Sequence, residues 1–125
     1  MTMEARIIGV IGAGGDRDKT KRPVMGRIAA SLCDKLIITS DNPRSEEPEA
    51  IIRDILAGIE SDSLSKVTSI VNRGEAIRAA CLMAHVGDII LIAGKGHETY
   101  QEIKGVKYPF DDREIVARLF ENMKP

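Results

Sequence analysis

The chain has 125 residues, 43% of them hydrophobic and 30% charged, with 18 basic against 19 acidic side chains and a formal net charge of −1. That length suits one domain, able to bury roughly two-thirds of its unfolded surface without help from disulfides or metal. The near-cancelling charge argues against nucleic-acid or anionic-membrane partners, and 3% aromatics with no Trp leave no base-stacking platform.

Apolar runs of about five residues fall far short of the roughly twenty needed to span a membrane. Glu4 and Arg6 interrupt any apolar leader at the N-terminus. Cys33 and Cys81 stand among apolar residues at no metal-ligand spacing, which fits buried, reduced thiols of a cytosolic domain.

Along the chain, two hydrophobic periods alternate. Arg6 to Ile11 is a β-branched run that breaks at Gly12-Ala13-Gly14-Gly15. Pro23 to Cys33 turns helical, with Val24, Ile28 and Leu32 on one face and Met25 and Ala29 beside them. Lys35 to Ser40 is again strand-like and stops at Asp41-Asn42-Pro43. Pro48 suits the first position of a helix that carries Ile51, Ile55 and Ile59 in one row and Ile52 and Leu56 in the next.

Lys66 to Val71 is a weaker strand, followed by a helix from Arg73 to His85 with Ile77, Cys81 and Ala84 facing inward. Val86-Gly87-Asp88 ends it, and Asp88 to Ala93 is the most apolar strand. Tyr100 to Ile103 and Val106 to Phe110 flank Lys104-Gly105 as a hairpin, expected to add antiparallel strands at a sheet edge. A last helix runs from about Asp112 to Met123, with Ile115, Val116, Leu119 and Phe120. This alternation predicts an α/β, Rossmann-like, mostly parallel sheet with helices on both faces.

In such a sheet, ligands bind beyond the carboxyl ends of the strands. Three loops leave strands at that edge. The first, Gly12 to Arg22, is glycine-rich, but Arg17 stands where a dinucleotide fingerprint needs its third glycine, and Lys19-Thr20 lacks the glycine of a P-loop. It keeps a close-approaching backbone and basic side chains at Arg17, Lys19, Lys21 and Arg22, with Arg27 further on; alone, it is equally a tight turn with solvated charges.

The second, Asp41 to Pro48, offers a carboxylate (Asp41), an amide (Asn42) and the planar fork of Arg44. It also reads as plain turn chemistry, with Arg44 paired to Glu46 or Glu47. The third, Gly94 to Glu98, follows the most apolar strand and presents Lys95, His97 and Glu98 between sharp glycine turns. A lone His97 is more often structural or solvated than a metal ligand, and His85 near a helix end needs no function. Together the loops make a pocket of mixed sign. Arg17 and Arg44 suit carboxylates, Asp41 and Glu98 suit ammonium groups, and a ligand carrying both, such as an amino acid, matches better than a phosphate or a nucleic acid.

Four segments in this order resemble one family. Gly14 to Gly26 (GGDRDKTKRPVMG), Ser40 to Ile59 (SDNPRSEEPEAIIRDILAGI), Ile92 to Gln101 (IAGKGHETYQ) and Tyr108 to Glu114 (YPFDDRE) are similar to the C-terminal, amino-acid-binding domain of the Mur ligases. The DNPR segment resembles those members that add meso-diaminopimelate to UDP-MurNAc-L-Ala-D-Glu in peptidoglycan synthesis. The resemblance implies that Arg44 grips the distal carboxylate of diaminopimelate, with Asp41 and Asn42 beside it. It further implies that Arg17 holds the carboxylate at the reacting end, while Gly94 and Glu98 bind the distal ammonium.

The resemblance implies a bacterial, cytoplasmic ligase whose complete form uses ATP and Mg²⁺ and carries a UDP-sugar domain and a central ATPase domain as well. This chain has no Walker A motif, no carbamylated-lysine region and no segment contacting adenine and ribose. Residues 1–125 are therefore expected to be the amino-acid-binding domain alone, excised or one half of an assembly, with no cofactor, metal or catalytic residue of its own and no activity by itself. Two other classes stand beside this expectation. A free-standing nucleotide-binding Rossmann module is disfavoured by the broken fingerprint, and a non-catalytic interaction domain by the intact charged loops.

Overall fold

The run Ile7-Ile8-Gly9-Val10-Ile11 offers apolar side chains to both sides, as a strand covered on two faces requires. In the computed structural model, which describes residues 5–93 and 100–123, it is the interior strand β1 (Ile7–Ile11). It is followed by α1 (Lys21–Leu32), β2 (Lys35–Ile38), α2 (Pro48–Leu56), a 3-10 turn over Ser61–Lys66, β3 (Val67–Ser69), α3 (Arg73–Met83) and β4 (Ile89–Ile92). β5 (Tyr100–Ile103), β6 (Val106–Pro109) and α4 (Asp112–Met123) complete it. β1 to β4 form one parallel sheet in the order β3-β2-β1-β4, with Val10 opposite Ile37 on one side and Ile92 on the other. The predicted α/β architecture is the one found.

Strand alternation divides the core into two layers. Ile11, Leu36 and Ile38 point to one face and pack with Ala30 of α1 and Ile51, Ile52 and Ile55 of α2. Ile8, Val10 and Ile37 point to the other and meet Ala76, Ile77, Ala80 and Cys81 of α3, with Ile115, Val116 and Leu119 of α4 packed behind them. Both cysteines are free and buried, and burial pushes each thiol's pKa up. Among the described residues no helix is long and apolar enough to cross a membrane.

Two expectations need correction, and one strand lies where its composition would not place it. In α1 the row Val24, Ile28 and Leu32 is 45%, 50% and 66% exposed, while Arg22, Gly26 and Ala30 face inward. Helical period identifies rows but not which row is buried; here the small-residue row wins because it lets α1 approach α2 closely. β4, the most apolar strand, is an edge strand whose Ile89 and Leu91 are each 54% exposed, since the α1–α2 layer does not extend over it. The β5–β6 hairpin forms its own two-stranded sheet instead of extending the main one, and meets the β2–α2 loop through a parallel bridge between Arg44 and Ile103 and side-chain bonds from Gln101 and to Asn42.

Gly26 marks the α1–α2 crossing: a Cβ there would lie 2.1 Å from the Ile55 carbonyl oxygen and 3.0 Å from its Cγ2. Backbone cannot yield as a flexible side chain can, so the helices must separate. Gly26→Ala is expected to lower stability by about 2 kcal/mol despite alanine's better helix propensity. Thermal unfolding checks this, and an unchanged or raised Tm would contradict the packing described.

Candidate functional site

The order β3-β2-β1-β4 makes the chain step outward from β1 to β2 and β3, then return to the opposite side of β1 for β4. Such a reversal is the switch point of a parallel sheet, where ligands are generally bound beyond the carboxyl ends of the strands. The loop after β1 carries Arg17, and the loop after β2 carries Asp41, Asn42 and Arg44. Gly94 and Glu98, expected after β4, lie outside the described residues, as do Lys95 and His97.

Arg44 is the centre of this arrangement. Its backbone is left-handed, with φ of +53°, a conformation that costs a non-glycine residue about 1 kcal/mol or more. Two backbone bonds hold it there: its N–H donates to the Glu102 carbonyl at 2.9 Å, and its carbonyl accepts from the Lys104 N–H at 2.6 Å. The side chain thereby turns back across the first loop, where Nη1 donates to the Gly15 carbonyl at 3.0 Å. A Cβ on Gly14 would stand 2.9 Å from Arg44 Nη1 and 3.5 Å from Arg17 Cγ, so the two predicted carboxylate-binding arginines flank the same glycine. Arg17 is exposed, whereas Arg44 keeps 17% of its side-chain surface.

Its nearest described carboxylate is that of Glu102, 3.8 Å from Nε. That is long beside the roughly 2.8 Å of a charge-assisted bond, so the fork retains capacity for an incoming carboxylate. The alternative pairing of Arg44 with Glu46 or Glu47 is not what forms.

Asp41 and Asn42 are 6% and 1% exposed. Asn42 Oδ1 accepts the Glu102 N–H at 2.7 Å, its carbonyl accepts the Gly15 N–H at 2.7 Å, and the Asp41 carbonyl accepts from Gln101 Nε2 at 2.7 Å. Both residues therefore bracket the β2–α2 loop between the first loop and β5, whatever else they touch.

Glu46 closes the junction from below. Its carboxylate takes both Nη atoms of Arg22 at 3.1 and 2.7 Å and the Asp16 N–H at 2.6 Å, with Lys19 Nζ at 3.5 Å. Arg22, 2% exposed, also donates to the Gly14 carbonyl at 3.0 Å and to Asp54 on α2 at 2.9 Å. Asp16, itself left-handed at φ +55°, accepts from the Ser45 hydroxyl. The hydrogen bonds from Arg22 hold the Glu46 carboxyl down at about 2, against an ordinary 4.5.

Sequence reading placed Arg22 among solvated charges and missed Glu46, Gln101 and Glu102 as supports. The signals available were the burial-prone position of Arg22 just before Pro23 and the surplus of carboxylates after Arg44. The described residues contain no group of three or more side chains suited to holding a metal ion.

A parallel α/β domain here carries Arg17, Asp41, Asn42 and Arg44 on the loops at its switch point. Comparison with known proteins gives that class a family. Residues 1–96 match the Mur ligase, glutamate ligase domain, and the chain belongs to that family. It is 57% identical over 117 residues to the UDP-N-acetylmuramoyl-L-alanyl-D-glutamate–2,6-diaminopimelate ligase of Bacteroides thetaiotaomicron, covering 94% of this chain. Against the ligase of the same name from Aquifex aeolicus it is 53% identical over 116 residues, 93% of this chain.

A solved structure of a UDP-N-acetylmuramoyl-L-alanyl-D-glutamate–2,6-diaminopimelate ligase superposes with a TM-score of 0.87 at 44% identity, covering 94% of this chain and 24% of that one. The chain spans 24% of the length of both curated relatives named here.

Glu46 sets an acid limit on the junction. Because its folded pKa is depressed, its contribution is present above pH 4.5 and lost as pH falls toward 2. In wild type, stability is expected to decline through that window; in Glu46→Gln the decline should be shallower from a start already about 3 kcal/mol lower, since Arg22 loses its buried partner. Urea unfolding at a series of pH values reads both, and parallel pH profiles for the two proteins would contradict the assignment.

Proposed function

We propose that this chain is the amino-acid-recognition domain of an ATP-dependent amide ligase that adds meso-diaminopimelate to UDP-MurNAc-L-Ala-D-Glu. Residues 1–125 form that one domain, and a UDP-sugar domain and an ATPase domain supply the rest. The observation that carries this reading is Arg44, held in a left-handed backbone with its guanidinium fixed across Gly14 and Gly15 beside Arg17. The names and identities of the relatives support it.

In this reading Arg44 takes the distal carboxylate of diaminopimelate, and Asp41 and Asn42 complete that end. Arg17 takes the carboxylate next to the reacting amine, and Gly94 and Glu98 take the distal ammonium. The domain's work is then positional: it presents one amine of a symmetric-looking ligand in a fixed orientation. Lysine offers the ammonium but no distal carboxylate, so it leaves the Arg44 fork unpaired. Losing one partner of a hydrogen-bonded charge pair costs about 2–5 kcal/mol, enough for strong discrimination.

ATP and Mg²⁺ belong to the complete ligase. The donor set described on this chain does not fit a metal ion, and no phosphate cradle is present in the sequence, so no step through either is assigned to these residues. The chain alone is proposed to bind without catalysing.

A titration of the isotope-labelled chain with meso-diaminopimelate, with L-lysine as control, tests this. Shifts at Arg17, Asn42, Arg44 and residues 94–98, much weaker with lysine, are expected. Arg44→Met should weaken diaminopimelate by about 2 kcal/mol or more while leaving the weak lysine response unchanged. Equal responses to both ligands, or an unaltered affinity in Arg44→Met, would reject the proposed pocket.

A further inference from the structure

The candidate site rests on more than the two loops that surround Arg44. Arg73, the first residue of α3, is 1% exposed and donates in three directions. Nε and Nη2 form a bidentate pair with the Asp112 carboxylate at 2.8 and 2.7 Å. Nη1 donates to the Ser40 carbonyl at 3.2 Å, and Nη2 to the Ala93 carbonyl at 3.3 Å. Ser40 directly precedes Asp41 beyond the end of β2, and Ala93 follows the last residue of β4. β1 lies between those strands in the sheet, so a single guanidinium from outside the sheet spans the two strand ends and ties both to the start of α4.

This is an unfavourable place for an arginine on local grounds. The first turn of a helix favours negative charge, and a buried guanidinium is tolerated only when fully paired. Consistency between local preference and fold is the rule in ordinary core positions, and departures concentrate where a site must be held in shape. A lysine would satisfy the charge, but it lacks the rigid fork that reaches three acceptors at once.

We propose that Arg73 is a positioning residue for ligand selection: it fixes the spacing between the carboxyl ends of β2 and β4 and thereby the placement of Asp41 to Arg44. The inference rests on the function proposed above, because selection between ligands is what that spacing serves. Asp112 is its anchor, holding the fork so that the two carbonyls are met together. None of the sequence motifs assigns a role to either residue, and neither lies among the expected ligand contacts.

The test uses the 125-residue chain with Arg73→Lys, and Asp112→Asn as a milder second variant. Amide hydrogen exchange is read without ligand, and the affinity ratio of meso-diaminopimelate to L-lysine is read alongside. In Arg73→Lys, amides of Ile8, Val10 and Ile37 should stay protected, while protection at Arg44, Glu102 and Ala93 falls together by about 10-fold, as expected for losing charged hydrogen bonds. The affinity ratio should fall by about 10-fold, chiefly through weaker diaminopimelate binding. Asp112→Asn should show the same pattern at smaller amplitude, and it decides the matter if Arg73→Lys does not fold.

Uniform loss of protection through the core, or changes confined to the neighbours of residue 73 with the ligand ratio retained, would overturn the positioning role. A wild-type chain with no preference for diaminopimelate would reject the proposed function instead, and the exchange pattern would still decide whether Arg73 couples the two strand ends.

Discussion

The structure of the loops beyond the strand ends depends on the pairing of Arg22 with Glu46. A guanidinium with 2% exposure is costly to bury, and both its Nη atoms find partners in Gly14, Glu46 and Asp54, which come from three different segments, while Nε is left without one. Satisfying that one group therefore fixes the β1–α1 loop, the β2–α2 loop and α2 relative to one another. The left-handed backbones of Asp16 and Arg44 are tolerated because this junction and the β5 bridge over-determine them. Under the proposed function, Arg44 is thus presented before its ligand arrives, and little ordering would remain to be done on binding.

How much of this could be read from sequence differs by layer. The strands and helices were legible because their periods are clean: Ile51, Ile52, Ile55 and Ile59 all pack where their spacing places them. The buried row of α1 was not, because Val24, Ile28 and Leu32 are more apolar than Arg22, Gly26 and Ala30, yet the helix–helix approach at Gly26 selects the smaller row. β4, the most apolar strand by sequence, proved to be an edge, since neighbour order in a sheet is not written in any one strand.

The site shows the same division. Arg17 and Arg44 could be nominated from chemistry and loop position, and the structure brings both close to Gly14. Their supports could not be, since Arg22 with Glu46 and Arg73 with Asp112 are separated by 24 and 39 residues and become neighbours only through the sheet. Charged residues that stand in local conflict with their setting, such as an arginine at a helix start, were the signal left unused. The domain therefore divides its work. Exposed Arg17 and mostly covered Arg44 stand on the loops beyond the strands, and two buried arginines, Arg22 and Arg73, tie those loops to the rest of the fold.

The central claim is that Arg44 functions because the Glu46 junction holds it in place. A double-mutant cycle on meso-diaminopimelate affinity, using Glu46→Gln, Arg44→Met and the pair, tests it most directly. The account predicts strong coupling: once Glu46 is lost and Arg44 displaced, removing Arg44 should cost about 1 kcal/mol less, or better, than in the wild-type background. Additive losses, or a Glu46→Gln protein that binds as tightly as wild type, would contradict it.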